Sequence, residues 1–153
     1  MSPPLRTKAD VKAMREGLKN GVIDIICTDH APHHNDEKQR EFDKAPFGIL
    51  GLQTLIPLTL NLVRDGVINL NKMVELTSLN PAKLLKLNDR GVIAEGYLAD
   101  ITIVDPDFEY LYDEKLNKSK SQNSPLLGKK LKGAAIKTIK SGRLVYDFPN
   151  VVA

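Results

Sequence analysis

The spacing of apolar residues switches from helical to continuous and back along the first half of the chain. Val11, Met14 and Leu18 recur at helical intervals. Thr7 stands ahead of them as an N-cap, with Asp10 three places on, and Asn20-Gly21 is a stop signal. A helix is therefore expected over residues 8–19. The run 22–27 that follows is apolar except for Asp24 and rich in β-branched residues, the pattern of a short buried strand of the parallel kind. Helix and strand together make half of a βαβ unit. Residues 35–45 are charged and aperiodic, as in a surface loop, and Pro46-Phe47-Gly48 closes it. Leu52, Leu55, Ile56, Leu60 and Val63 mark a second helix, bent or offset at Pro57 and ended by Asp65-Gly66. Asn69 or Asn71 caps a third, with Met73, Val74 and Leu76 apolar. Asn80-Pro81 reads as an N-cap with proline at the first helical position, opening a short helix through Leu84 and Leu85.

Near Gly91 the texture becomes that of short strands broken by glycine turns. Residues 91–96, 99–105 and 108–112 are candidate strands. Residues 136–140 and 143–146 flank Ser141-Gly142 as a hairpin. A boundary near residue 90 thus separates an α/β part, 1–90, from a mostly β part, 91–153.

Composition changes this picture little. The chain has 153 residues, 42% hydrophobic, enough for a core, and a formal charge of +3, too mild to point to nucleic acid. Between Glu114 and Asp147 every charged residue is basic, but no nucleic-acid motif accompanies the run, and a solvated basic loop and hairpin face is expected. Cys27 is the one cysteine, so no internal disulfide forms; at the end of the strand it is expected to be a small buried thiol. No apolar run is long enough to span a bilayer, and a cytoplasmic protein is expected.

The concentrated chemistry lies where the apolar run 22–27 stops. Asp29 follows it directly, and His30, His33 and His34 are all three histidines of the chain. Loops at the carboxyl ends of strands line the sites of α/β folds. Taken alone, Asp29 fits a helix cap or turn as well as a ligand, and the histidines fit a bare surface loop. Gly48 and Gly51 either let backbone approach a ligand or simply shape the turn before a helix.

The order of motifs resembles the dihydroorotases, within the cyclic amidohydrolases. The residues that carry the resemblance are Ser2-Pro3-Pro4-Leu5-Arg6, Thr28-Asp29-His30-Ala31-Pro32-His33 and Pro46-Phe47-Gly48-Ile49-Leu50-Gly51-Leu52. Asn80-Pro81-Ala82-Lys83, Gly96 with Ala99-Asp100, and Ser119-Lys120-Ser121-Gln122-Asn123-Ser124-Pro125 continue it. The resemblance implies an α/β fold: the C-terminal part of a (β/α)₈ TIM-like barrel, then the C-terminal strands of a small β-sandwich. Such barrels take about 250 residues, so this chain is expected to be a C-terminal portion.

The implied activity is zinc-dependent hydrolysis of a cyclic amide, interconverting dihydroorotate and N-carbamoyl-L-aspartate in pyrimidine biosynthesis. By resemblance Asp29 is a metal ligand and the general acid/base. His33 binds the substrate carboxylate, and Phe47 and Gly48 contact the pyrimidine ring through backbone. Ser2 falls where many members have Asn, another substrate contact, and its hydroxyl has a shorter reach. His30 and His34 take no family role. The other implied zinc ligands have no counterpart here, so the chain alone is expected to be inactive. Two neighbouring readings are another cyclic amidohydrolase (an allantoinase or hydantoinase) and a non-catalytic partner of aspartate transcarbamoylase. A homo-oligomer is compatible with either; no nucleic-acid or membrane partner is expected.

Overall fold

A computed structural model describes residues 2–148. Among these, helices α1 (Lys8–Lys19), α2 (Asn35–Lys38), α3 (Leu55–Arg64), α4 (Leu70–Val74) and α5 (Asn80–Leu84) precede three strands. The strands β1 (Ile101–Tyr112), β2 (Lys129–Lys140) and β3 (Arg143–Asp147) form an antiparallel sheet in the order β1-β2-β3. α1 occupies the expected residues because its N-terminus is closed reciprocally. Thr7 Oγ1 accepts the Asp10 N–H at 3.3 Å, and the Asp10 carboxylate accepts the Thr7 N–H at 2.9 Å.

The expected buried strand over 22–27 does not form. A parallel strand needs neighbours for its N–H and C=O groups, and the described residues offer none there. The segment lies instead against the helices. Ile26 N–H donates to Leu76 O at 3.0 Å, and Asn80 Nδ2 donates to Asp24 O at 2.9 Å. Ile23 and Ile26 pack on a core of Leu18, Leu60, Ile68, Met73 and Leu76. The other side stays bare: Val22 is 80% exposed, and Cys27 is exposed rather than the expected buried thiol.

Two further expectations are corrected by helix geometry. Leu52–Thr54 form a 3₁₀ turn that leads into α3, so the irregularity lies ahead of Pro57. Pro57 sits in the first turn of α3, where N–H groups have no intrahelical acceptor anyway. Asn80 does not cap a new helix. α4, a π-turn (Glu75–Leu79) and α5 run on continuously, and Asn80 N–H donates to Glu75 O. The widened turn accommodates Pro81, whose missing N–H and ring would break a regular ladder.

In the second half, residues 91–96 make turns, not a strand; Gly91, at φ 95°, backs so closely on α5 that an added Cβ would lie 2.7 Å from Ala82 Cβ. The expected strands 99–105 and 108–112 are one strand, irregular around Pro106, where Asp105 Oδ1 accepts the N–H groups of Asp107 and Phe108 at 2.9 and 3.1 Å. The hairpin turns at Ser141-Gly142, both at positive φ (49° and 78°), which matches strand twist. Asp100 braces it: its carboxylate accepts the Ser141 N–H at 2.8 Å and pairs with Lys140 and Arg90. These cations and the amide hold the Asp100 carboxyl below its usual range, Lys140 contributing most.

The sheet docks on the helical half through α3. Arg64 donates to Pro106 O at 3.2 Å and Lys132 O at 2.9 Å. On the sheet, Phe108, Tyr110, Tyr146 and Phe148 cluster, and burial pushes the Tyr110 phenol up to about 12. Among the described residues no helix is long and apolar enough to cross a membrane.

Candidate active site

The motif loops meet at a single point. Residues 28–34 and 46–51 lie side by side, joined by a parallel bridge between His30 and Ile49, with Ala31 N–H donating to Ile49 O at 3.0 Å. The approach is as close as glycine permits. Gly48 has φ 108°, and a Cβ built there would sit 2.5 Å from Ala31 Cβ and 3.4 Å from His33 Nε2. A Cβ on Gly51 would lie 2.7 Å from Thr28 Cβ and 2.9 Å from its carbonyl oxygen. Both glycines are thus required by contact between the two loops.

Each histidine is committed by its partners. His33 Nε2 lies 2.7 Å from Phe47 O; a carbonyl only accepts, so Nε2 carries the hydrogen. Nδ1 of the same ring is 3.8 Å from the Glu37 carboxylate. His30 Nδ1 accepts the N–H groups of Gly51 and Leu52 at 3.1 and 3.4 Å. It thereby caps the 3₁₀ turn ahead of α3, whose own N-cap, Gly51, has no side chain to do so. His34 Nδ1 accepts the Asp36 N–H at 3.3 Å and caps α2. His30 and His34 therefore have structural duties that their spacing in the sequence did not disclose.

Two residues outside the expected set complete the arrangement. Lys38 Nζ donates to Pro46 O at 2.8 Å and Gly48 O at 3.1 Å, holding the glycine turn from α2. Asn123, from the loop between β1 and β2, reaches both motif segments. Its Nδ2 donates to Ala31 O at 2.8 Å and Gly48 O at 3.3 Å, and its Oδ1 accepts the His33 N–H at 3.3 Å. Asn123 belongs to the Ser119–Pro125 motif; its position in that motif was the one available signal, and no spacing rule assigns it a task.

Of the sequence-derived candidates, His33, Phe47 and Gly48 are brought together. Phe47 contributes its carbonyl, while the residue is 65% exposed. Asp29 stands at the head of the loop in a left-handed conformation, φ 46°, which Asp tolerates better than most residues. Asp29 is exposed, and its carboxylate makes no hydrogen bond or ion pair among the described residues. Ser2 is exposed and has no polar contact among the described residues.

The zinc implied by the motif resemblance needs about three protein ligands. Among the described residues no three His, Cys, Asp or Glu side chains group to hold a metal ion. His33 Nε2 is turned to Phe47 O and His30 Nδ1 to backbone N–H groups, and Asp29 offers one carboxylate. The described residues do not by themselves fit a zinc centre.

The model of the Amidohydrolase family matches residues 3–145. The chain is 51% identical to a dihydroorotase of Geobacter sp. (strain M21) over 147 residues, covering 96% of this chain and 34% of the relative. It is 49% identical to a dihydroorotase of Aquifex aeolicus over 146 residues, with 95% and 34% coverage. Among solved structures, the L-hydantoinase (dihydropyrimidinase) from Arthrobacter aurescens superposes with a TM-score of 0.85 at 31% identity, covering all of this chain and 35% of that one. The dihydropyrimidinase from Brevibacillus agri gives 0.86 at 30%, covering 99% and 34%. The chain thus spans about a third of the length of the curated relatives it matches.

Proposed function

The chain belongs to the amidohydrolase family, and from that premise we propose that it carries the C-terminal portion of a cytoplasmic dihydroorotase, residues 1–90 from the last units of a (β/α)₈ barrel and 91–153 from a small β-sandwich. The substrate class is a six-membered cyclic amide bearing a carboxylate, with dihydroorotate and carbamoyl aspartate as the interconverting pair. Identity favours this over a hydantoinase: about half of the aligned residues match dihydroorotases, against about a third for the hydantoinase structures.

Asp29 is the proton carrier. Its carboxylate takes a proton from the water that attacks the ring carbonyl and returns it to the ring nitrogen as the carbon–nitrogen bond breaks. A carboxylate without a partner among the described residues is suited to that exchange. Zinc would supply Lewis-acid activation, with Asp29 as one ligand; the remainder of that site would come from outside this chain.

His33 anchors the substrate carboxylate. Its Nε2–H, turned from Phe47 O, is the donor it would offer. The peptide of Phe47 and Gly48 faces the ring, where any side chain on residue 48 would crowd Ala31. The observation that carries the reading is the hydrogen bond from His33 to Phe47 beside a glycine in contact with Ala31. Ser2 would be a weaker substrate contact, through its hydroxyl.

The test is a graft in which this chain replaces the matching third of the Geobacter dihydroorotase. Turnover of dihydroorotate exceeding that of allantoin or hydantoin is expected. Asp29→Asn in the graft should lower kcat by ~10²–10⁴-fold. A graft inert toward dihydroorotate, or an Asp29→Asn variant with full turnover, would refute the proposal.

A further inference from the structure

We propose that Asn123 is a positioning residue for substrate recognition: it sets the His33 backbone and the Gly48 carbonyl in register, and so aims His33 and the Phe47-Gly48 peptide at the same ligand. The inference rests on the reading of those residues as substrate contacts. Three contacts carry it. Oδ1 accepts the His33 N–H at 3.3 Å, and Nδ2 donates to Ala31 O at 2.8 Å and Gly48 O at 3.3 Å. The orientation of the amide is unambiguous, because an N–H can only donate and a carbonyl can only accept. The main chain adds a fourth contact, Leu50 N–H donating to Asn123 O at 3.1 Å. One residue thus touches both walls of the site, which are also stitched by the Ala31–Ile49 bond, by His30 Nδ1 with the Gly51 N–H and by His33 itself.

The chemistry is specific to asparagine. Aspartate has nearly the same shape and keeps an acceptor for His33 N–H. It has no donor for Ala31 O and Gly48 O, and sets a negative charge against two carbonyl oxygens. Alanine removes all three side-chain bonds. Other side chains of this length lack two donors and an acceptor in one plane.

The loop that presents Asn123 is stiffened before it arrives. Asp113 Oδ1 accepts the N–H groups of Lys115 and Leu116, each at 3.0 Å. Asn117 accepts the Ser119 N–H at 3.1 Å and donates to Ser121 O at 2.8 Å. Gln53 fastens the loop to the start of α3, donating to Leu116 O at 2.6 Å and accepting the Lys118 N–H at 2.8 Å. A pre-ordered loop loses little entropy in holding Asn123 in place, as precise positioning of binding groups requires. The sheet half therefore reaches into the substrate site through this residue.

Two measurements test this. In the graft, Asn123→Ala should raise KM for dihydroorotate by about tenfold or more while kcat changes by less than about threefold. Asn123→Asp should raise KM at least as much. Combined with His33→Ala, Asn123→Ala should add little, because both act on one anchor. In the 153-residue chain itself, Asn123→Ala should speed hydrogen exchange at the His33 and Ala31 amides and leave those of α3 unchanged. An unchanged KM in Asn123→Ala, where His33→Ala raises it, overturns the inference and leaves the functional reading intact. An unchanged KM in His33→Ala overturns the functional reading, and the inference with it. Uniformly faster exchange, or a fall in kcat alone, assigns Asn123 a merely structural role and overturns the inference.

Discussion

Gly48→Ala tests the packing of the two motif loops. Gly48 adopts φ 108°, outside the left-handed region that Asp or Asn tolerate, so alanine there bears backbone strain of ~1–3 kcal/mol. The new methyl would also start 2.5 Å from Ala31 Cβ, with Ala31 Cα at 3.8 Å behind it. Ala31 cannot swing aside by changing rotamer, so the clash must be relieved by moving backbone, for a further ~1–3 kcal/mol. That movement strains the 2.7 Å bond from His33 to Phe47 O and the Lys38 contact to Gly48 O. Gly66→Ala is the control: it too has positive φ (69°), but nothing lies within 4 Å of an added Cβ. Denaturant unfolding of the chain should show Gly48→Ala less stable than Gly66→Ala by about 1–3 kcal/mol, or roughly 2–4 °C in Tm per kcal/mol. Exchange at the Ala31 amide should accelerate in the first variant only. Equal stabilities, with Ala31 exchange unchanged, would show that the loops are not in the contact described, and the site built on that contact would fall.

The other predictions concern chemistry and charge. In the graft, loss of Asp29 as Asn should lower kcat far more than it changes KM, which steady-state kinetics on dihydroorotate reads directly. The chain by itself should neither hydrolyse dihydroorotate nor bind zinc tightly, because Asp29 is a single ligand; stoichiometric zinc in dialysed protein together with turnover would refute this. Asp100 has its carboxyl depressed by Lys140, the Ser141 amide and Arg90, so its contribution to stability is present above the ordinary carboxylate range and lost as pH falls below about 4. Asp100→Asn should therefore lower Tm at pH 7, and the gap between variant and parent should close on acidification; a gap independent of pH would exclude the ion pairs as its cause.

Local chemistry was legible where the determinants are neighbours in sequence. α1 is specified by Thr7, Asp10 and Asn20, all inside one helix and its caps. The hairpin is specified by Ser141-Gly142, which accept positive φ. Asn69 caps α4 by accepting the Lys72 N–H at 2.8 Å, again within a single turn. His33, Phe47 and Gly48 were singled out by the family resemblance, and the structure brings them together.

What failed at the sequence level failed for want of a partner or through one that is remote in the chain. The run 22–27 has strand composition, yet a strand exists only where a neighbour supplies the ladder, and here Leu76 and Asn80 claim its backbone groups instead. Pro81 looked like a helix start because proline is tolerated there; only the preceding π-turn reveals that the helix was already under way. His30 and His34 took no role from the resemblance; His34 caps α2 from two residues away, whereas His30 caps the 3₁₀ turn from 21 residues away, a contact that no local pattern announces. Asn123 lies 75 to 92 residues from the groups it holds. The sequence by itself determined the caps of α1 and α4 and the hairpin turn, because those follow from covalent geometry and nearest neighbours. How the site is aligned, through side chains that satisfy backbone groups in distant segments, was decided by tertiary structure, because hydrogen bonds between such segments leave no periodicity along the chain.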